Sequence, residues 1–180
     1  METIALFGGS FDPPHIGHKA IVEALNKLDY IDKVIVMPTF LNPFKSSSYA
    51  PSKLRLQWLQ EIFKGLDKVK IDNYEVNQNR AVPSLESVQY LLKKYAKVYL
   101  VIGADNLNSL EKWNNFKELN SLVTFIVASR DDINIDTKFI KLNINKKISS
   151  SELRDNIKLS KLPKECAREI EIYYKEKNEH

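Results

Sequence analysis

A predicted buried strand, a glycine turn and the start of a helix follow one another in residues 4–18, which read IALFGGSFDPPHIGH. The first four residues are apolar, and the two glycines after them end the strand in a tight turn. After Gly17, apolar residues recur at helical spacing as far as Leu28. Glycines let backbone amides approach an anion closely, and the helix aims its first N–H groups at the same place. The stretch therefore predicts a phosphate-binding turn inside an α/β fold.

Strand-like and helix-like segments alternate along the rest of the chain. Apolar runs predict strands at residues 34–37, 98–102 and 124–128, with weaker ones at 69–71 and 139–142. Helices are expected from about Pro51, from Ser84 as an N-cap, and near the end of the chain from about 149 and about Pro163. Strands that are apolar throughout are typical of a parallel sheet covered on both faces. We expect one domain over residues 1–180, with a Rossmann-like, doubly wound, mostly parallel sheet and helices on both faces.

Composition excludes several classes of protein. The 180 residues are 43% hydrophobic and 28% charged, which is ordinary for one globular domain. The net charge of +4 comes from lysines scattered over the chain, so no nucleic-acid groove is indicated. The single cysteine, Cys166, rules out a disulfide framework and is expected to be a buried, inert thiol. No apolar run reaches the ~18 residues that span a bilayer, and the first residues lack a signal-peptide pattern, so we expect a cytoplasmic protein without a membrane partner.

Ligands of such sheets bind beyond the carboxyl ends of the strands, where the strand order reverses. This rule points to residues 8–18, 38–45 and 103–105. The loop at 39–50 is long for a compact domain and is expected to be a mobile active-site segment. His15 and His18 are three residues apart, so at a helix start they can face one ligand. By itself such a pair is more often structural, and a zinc site lacks an evident third ligand because the third histidine is His180.

Three motifs carry a family resemblance. Residues 15–18 spell the H-I-G-H signature of the nucleotidyltransferase superfamily, and residues 8–15 resemble the matching string of the bacterial nicotinate-nucleotide adenylyltransferase family. Residues 102–107, with Trp113 downstream, resemble that family's G-A-D segment, and residues 148–154 resemble its I-S-S-T-x-x-R motif. The matches keep the family's order and cover most of the chain. The resemblance implies adenylyl transfer from ATP to nicotinate mononucleotide, which yields nicotinate adenine dinucleotide and pyrophosphate in NAD biosynthesis.

The resemblance also implies roles for individual residues. It implies that the catalytic groups, which hold the triphosphate, are His15, His18, Lys45 and Arg154. It implies an ATP site made of Gly8, Gly9, Ser10, Phe11, Gly103, Asp105, Ser149, Ser150 and Ser151. Trp113 is expected to stack on the pyridine ring of the mononucleotide, with Ser84 and Arg80 nearby. Mg²⁺ is expected to arrive on the ATP phosphates, without dedicated protein ligands.

Several of these residues have an alternative interpretation. Lys45 could be a solvated loop lysine, and Asp105 could be a helix N-cap. Ser149 with Glu152 also fits a capping box, so this motif could in part start a helix. Trp113 could belong to the core, where Trp58 is expected because it lies on the apolar face of its helix.

The chemistry of the implied reaction suits these residue types. A phosphate monoester has a second pKa of ~6, so the attacking oxygen is already ionised at neutral pH and no general base is required. The site must instead position the two substrates and supply hydrogen-bond donors and positive charge for an in-line attack on the α-phosphate. Imidazoles, a lysine, an arginine and helix-start amides meet that need.

The chain departs from the family pattern in two places, and other activities compete. I-S-S-T reads I-S-S-S at 148–151, and the family's S-Y-T segment reads P-S-L-E at 83–86, which leaves the choice between nicotinate and nicotinamide substrates open.

Pantetheine-phosphate adenylyltransferase is disfavoured because its substrate offers no ring for Trp113. A class I aminoacyl-tRNA synthetase, whose second signature residues 147–151 resemble, would need more than 180 residues. A nucleotide-binding sensor without catalysis is a further alternative, and the oligomeric state stays open.

Overall fold

The computed structural model describes residues 1–129, 133–146 and 148–180, so Lys147 of the synthetase-like stretch lies outside the described residues. Strands and helices alternate as the apolar runs predicted. Six strands are described: β1 (Thr3–Gly9), β2 (Lys33–Pro38), β3 (Val69–Ile71), β4 (Lys97–Gly103), β5 (Val123–Ser129) and β6 (Ile140–Asn143). The α-helices described are α1 (Ile16–Asn26), α2 (Ser52–Phe63), α3 (Tyr74–Asn77), α4 (Ser84–Leu92), α5 (Phe116–Leu122), α6 (Ser150–Asp155) and α7 (Ala167–Asn178).

The strands form one sheet in the order β3-β2-β1-β4-β5-β6, and each described pair of neighbours is parallel. The chain moves outward from β1 to β3 and then crosses back to β4 on the other side of β1. The order therefore reverses between β1 and β4, whose ends at Gly9 and Gly103 open a crevice for a ligand. The predicted Rossmann-like, doubly wound sheet is confirmed.

Alternate residues of the strands feed two separate cores, one on each face of the sheet. On one face, Phe7 and Val36 pack with buried residues of α1, α2 and α7. On the other face, Leu6 and Ile35 pack with α4 and α5. Burying a large apolar side chain stabilises the fold by ~1.5–3 kcal/mol, so these two layers hold the sheet and its loops in place. The predicted core position of Trp58 is confirmed, since its side chain is buried under α7.

Two local predictions were wrong, and two 3₁₀ segments were not predicted. Ser84 is the first residue of α4 and not its N-cap, because the Pro83 carbonyl already accepts the N–H groups of Glu86 and Ser87. The last helix begins at Ala167 and not near Pro163, where a turn closes by a hydrogen bond from Cys166 N–H to the Pro163 carbonyl. Apolar periodicity also missed the 3₁₀ segments at Ala104–Lys112 and Leu159–Lys161.

Within the described ranges, no helix has the length and apolar character needed to cross a membrane. The Cys166 thiol is buried, and burial raises its pKa to about 11. The expected buried position is confirmed, and a thiol that stays protonated is a poor nucleophile.

Candidate active site

A cavity of about 780 Å³ opens where the strand order reverses. Its walls come from the turn after β1, the loop after β2, the start of α4, the end of β4 with the following 3₁₀ segment, and the start of α6. Most of the predicted site residues line it: Gly8, Gly9, Phe11, His15, His18, Ser84, Gly103, Asp105, Trp113, Ser149, Ser150 and Ser151. The other four, Ser10, Lys45, Arg80 and Arg154, lie outside this lining.

His15 and His18 form a reciprocal capping box at the start of α1. The Nδ1 atom of His15 accepts the backbone N–H groups of Gly17 (3.1 Å) and His18 (3.3 Å). The Nδ1 atom of His18 accepts the backbone N–H of His15 at 3.1 Å. The two rings stack with centroids 3.6 Å apart. An Nδ1 atom that accepts a hydrogen bond is unprotonated, so each neutral ring carries its proton on Nε2.

Burial keeps both imidazoles neutral. It lowers the pKa of His15 to about 4. The pKa of His18 also lies well below its usual range, first because of burial and then because a charge on His15 would repel a second one. Neither Nε2–H group has a hydrogen-bond acceptor within the described part of the chain, although both rings line the cavity. The site thus offers two oriented neutral donors.

The Phe11 side chain packs against His18 of the histidine pair. Its backbone lies in the left-handed region at φ 49°, which turns the ring back towards α1. The ring is buried and meets His18 edge-on, with centroids 4.8 Å apart. It also contacts Gly9, where an added Cβ would lie 3.4 Å from the ring. The predicted ATP-binding residue Phe11 therefore sets the position of His18 as well as lining the cavity.

The start of α6 brings the C-terminal motif to the glycine turn. Ser149 caps the helix by accepting the N–H of Glu152 at 3.4 Å, so the motif does start a helix as the alternative interpretation holds. Ser150 Oγ donates to the Pro13 carbonyl at 3.1 Å. Because Ser149, Ser150 and Ser151 also line the cavity, helix start and site wall are the same segment.

Arg154 lies beside the cavity and is held in place from three sides. Its guanidinium donates to the Asp12 carbonyl at 2.8 Å and to Ser151 Oγ at 3.3 Å, and it lies 4.5 Å from the centre of the Tyr49 ring. Lys45 is close enough for the charge of Arg154 to act on it. The pKa of Lys45 is lowered, first because burial removes part of its water and then because Arg154 repels its charge. Within the described residues neither cation forms a salt bridge. Two neighbouring cations without a salt-bridge partner among the described residues favour a bound anion.

The other end of the cavity contains Ser84 and Trp113. Trp113 is half-buried and packs against the core beneath α4, as the core interpretation holds, and it also lines the cavity, so stacking on the pyridine ring stays a prediction. Arg80 is exposed, and its guanidinium makes a two-pronged contact with Glu86 at 3.1 and 2.5 Å. Arg80 is therefore turned to a neighbouring carboxylate and is not brought into the cavity.

The sequence analysis missed two buried residues, Asp12 and Arg55, that join the loop after β2 to the glycine turn. Asp12 accepts the N–H groups of Tyr49 (2.7 Å) and Ala50 (3.0 Å), and the Tyr174 hydroxyl donates to the same carboxylate. Asp12 stands inside the quoted stretch of residues 4–18, but nothing in its spacing marks it as a buried acceptor.

Arg55 is the second missed residue. Its side chain is 0% exposed and donates to three carbonyls, those of Ser10 (2.6 Å), Phe40 (3.1 Å) and Ala50 (2.9 Å). A signal was available, since Arg55 stands three residues before Trp58 on the apolar face of a helix. A charge at such a position is usually paired inside the protein.

Within the described ranges no three His, Cys, Asp or Glu side chains are grouped as a metal cage. The carboxylates that line the cavity are those of Asp105 and Glu75. Asp105 is exposed and packs over Gly103, where an added Cβ would lie 2.5 Å from the Asp105 Oδ1 atom. A single exposed carboxylate fits a cation that is held mainly by phosphates and water.

Comparison with known proteins places these features in a wider group. Residues 6–156 match the family model described as cytidylyltransferase-like. A relative from Sulfurimonas denitrificans, named a probable nicotinate-nucleotide adenylyltransferase, is 63% identical over 99% of this chain and 98% of its own. One of the same name from Campylobacter fetus is 53% identical over 98% of each chain. The structure of nicotinic acid mononucleotide adenylyltransferase from Plasmodium falciparum complexed with NaAD has a TM-score of 0.70 and 25% identity, covering 86% of this chain and 83% of that one.

Proposed function

This chain belongs to the nicotinate-nucleotide adenylyltransferase family, within the cytidylyltransferase-like group, and from that premise we propose that it transfers the adenylyl group of ATP to nicotinate mononucleotide. The products are nicotinate adenine dinucleotide and pyrophosphate, in a step of NAD biosynthesis. The observation that carries the proposal is the His15–His18 pair, two neutral donors on the wall of a cavity where the strand order reverses.

The acceptor supplies its own nucleophile. Its phosphate has a second pKa of ~6, so at neutral pH an ionised oxygen attacks the α-phosphorus of ATP. The bond between the α-phosphorus and the bridging oxygen breaks, and pyrophosphate leaves. No proton has to be removed from the acceptor, which agrees with a cavity whose histidines are neutral and already hold their proton on Nε2.

The protein's task is to stabilise the charge that develops on the leaving group. We assign the Nε2–H groups of His15 and His18 to the phosphates of ATP, because fixed donors need no rearrangement in the transition state. Gly8 and Gly9 would add backbone N–H groups, and the Ser149–Ser151 start of α6 would form a second phosphate-binding wall, whereas Ser10 lies outside the cavity lining. Lys45 and Arg154 supply the positive charge beside it, since the imidazoles carry none.

The acceptor occupies the other end of the cavity in this proposal. Trp113 offers a half-buried ring for stacking on the pyridine, and Ser84 offers a hydroxyl and the N-terminal N–H of α4. Mg²⁺, when bound, would screen the phosphate charges, and Asp105 could accept a hydrogen bond from one of its waters. We also propose that the protein acts in the cytoplasm, where ATP is supplied.

One assay tests the function. Purified protein is mixed with ATP, Mg²⁺ and each acceptor in turn: nicotinate mononucleotide, nicotinamide mononucleotide and phosphopantetheine. Pyrophosphate release should be fastest with nicotinate mononucleotide. Turnover with phosphopantetheine alone would assign a different adenylyltransferase, and binding of ATP without any turnover would assign a nucleotide-binding sensor.

A further inference from the structure

Glu75 is a buried carboxyl group at the acceptor end of the cavity. It lies on α3, the single turn that follows β3, and its residue is 6% exposed. It lines the same cavity as Ser84 and Trp113, the residues assigned to the mononucleotide. No step of the proposed reaction uses it.

The hydrogen bonds of Glu75 satisfy only half of its carboxyl group. Oε1 accepts the hydroxyl of Ser87, on α4, at 2.6 Å. Oε2 is buried and has no hydrogen-bond partner within the described residues. An ionised carboxylate in such a place loses its water without adequate replacement, which is strongly unfavourable. The neutral acid is the form that suits this environment.

The charges that act on Glu75 from neighbouring segments are also negative. They are the carboxylates of Glu86, on α4, and of Asp72, just before α3. The guanidinium of Arg80 binds Glu86, and Arg80 is not among the groups that shift the pKa of Glu75. Burial is the largest cause and the two carboxylates add to it, so that the pKa of Glu75 rises to about 7 although the Ser87 hydrogen bond opposes the change.

We propose that Glu75 is a selectivity residue for the acceptor: its neutral carboxyl group leaves this end of the cavity open to a pyridine ring that carries an anionic substituent, and its ionisation disfavours that ring. The inference rests on the proposed function, since the substituent on which Glu75 acts is the ring carboxylate of nicotinate mononucleotide. A like charge on the wall of a partly dehydrated cavity repels an anion bound there. The amide of nicotinamide mononucleotide is uncharged and would not be repelled.

The test compares the binding of two mononucleotides that differ only in this substituent. Calorimetry gives Kd for nicotinate and nicotinamide mononucleotide from pH 6 to 9, with a non-hydrolysable ATP analogue present. Ionisation of the acceptor phosphate is common to both ligands and cancels in the ratio of the two Kd values. The preference for the nicotinate form should fall by about 3- to 10-fold as the pH rises through 7. A preference that is constant with pH overturns the proposal.

Two variants sharpen the result. Glu75→Gln keeps the size and the acceptor for Ser87 but cannot ionise, so its preference should stay constant at the wild-type value for low pH. Glu118→Gln, at an exposed position of α5, is the matched control and should keep the wild-type pH dependence. If Glu75→Gln shows the same pH-dependent preference as the wild type, Glu75 has no such role. If Glu75→Gln fails to fold, the wild type alone decides, and a preference that is constant with pH rules the role out.

Failure of this inference is distinguishable from failure of the proposed function. The Kd ratio needs no turnover, so a pH-dependent preference supports the role of Glu75 even in a protein that releases no pyrophosphate. Turnover with a pH-independent preference supports the function and overturns the role. If neither mononucleotide binds, both are wrong.

Discussion

His15 and His18 hold each other's rings: the backbone N–H of each residue donates to the Nδ1 atom of the other, at 3.1 Å and 3.3 Å. The exchange has a chemical consequence. It leaves the single proton of each neutral ring on Nε2, and it does so with groups of the helix start that would otherwise lack partners. The first turn of α1 thus sets the orientation and the protonation of both donors.

Replacing His18 should reduce the rate of the chemical step. We expect His18→Ala to lower kcat by ~10²–10³ with a modest change in KM, because the lost Nε2–H acts on charge that develops in the transition state. Steady-state pyrophosphate release measures both constants. His180→Ala, at an exposed position near the end of the chain, is the control and should match the wild type. An unaltered kcat in His18→Ala would remove this histidine from the mechanism.

Gly17 leaves the space that the ring of His15 occupies. A Cβ at residue 17 would lie 2.9 Å from both Nδ1 and Cε1 of His15. In Gly17→Ala the imidazole must move, and a displacement of this kind should lower kcat by about 10- to 100-fold. The free energy of unfolding should change little, since alanine favours the helix by ~1 kcal/mol and offsets part of the strain.

The control for Gly17→Ala is Gly65→Ala. Nothing lies within 4 Å of a Cβ built at residue 65, so this variant should retain wild-type kcat. Thermal unfolding of both variants separates a loss of fold from a displaced ring. If Gly17→Ala keeps full activity, the position of the His15 ring is not critical.

Most of the fold was predictable because apolar runs mark parallel strands whatever their neighbours are. Residues 34–37 are buried in the sheet as expected, and so are residues 98–102 apart from the half-buried Tyr99. The glycine turn after the first strand also indicated where a ligand site should lie, and the cavity opens there, although the strand order itself was not predicted. These features depend on short stretches of chain, and a single sequence contains them in full.

Features that depend on distant segments were not predictable in the same way. The reciprocal hydrogen bonds of His15 and His18 require ring orientations that spacing alone does not specify. Arg80 was placed near the acceptor by its position in the chain, but the carboxylate of Glu86 competes for it. The partners of Asp12 lie 37 to 162 residues away, and no local pattern indicates which of them will approach.

The acid limb of the pH–rate profile should report the acceptor and not the histidines. Burial lowers the pKa of His15 to about 4, so as the pH falls from 8 this ring stays neutral until well below 6. The acid limb of kcat/KM should therefore lie near ~6, where the acceptor phosphate takes up its second proton. Profiles with a phosphonate analogue, whose second pKa differs, provide the check. A limb that does not move with the acceptor would implicate a group on the protein.

Arg55 joins three segments around the glycine turn without touching the cavity. Its guanidinium donates to the carbonyls of Ser10, Phe40 and Ala50, which follow β1, follow β2 and precede α2 respectively. A planar group with five N–H donors can reach three carbonyls at once, whereas the compact ammonium of lysine cannot do so from the same position. The charge alone is therefore not what the site needs.

We expect Arg55→Lys to lower the free energy of unfolding by about 1–3 kcal/mol, since at least one buried carbonyl loses its donor. The turn at Ser10 and the loop at Phe40 should also become less well ordered, and kcat should fall by about 10-fold because the phosphate donors are less well placed. Denaturant unfolding and pyrophosphate release measure the two effects. Arg168→Lys, at an exposed position of α7, is the matched control and should change neither. If Arg55→Lys is as stable and active as Arg168→Lys, one ammonium suffices where three carbonyls converge, and the guanidinium does not order this end of the sheet.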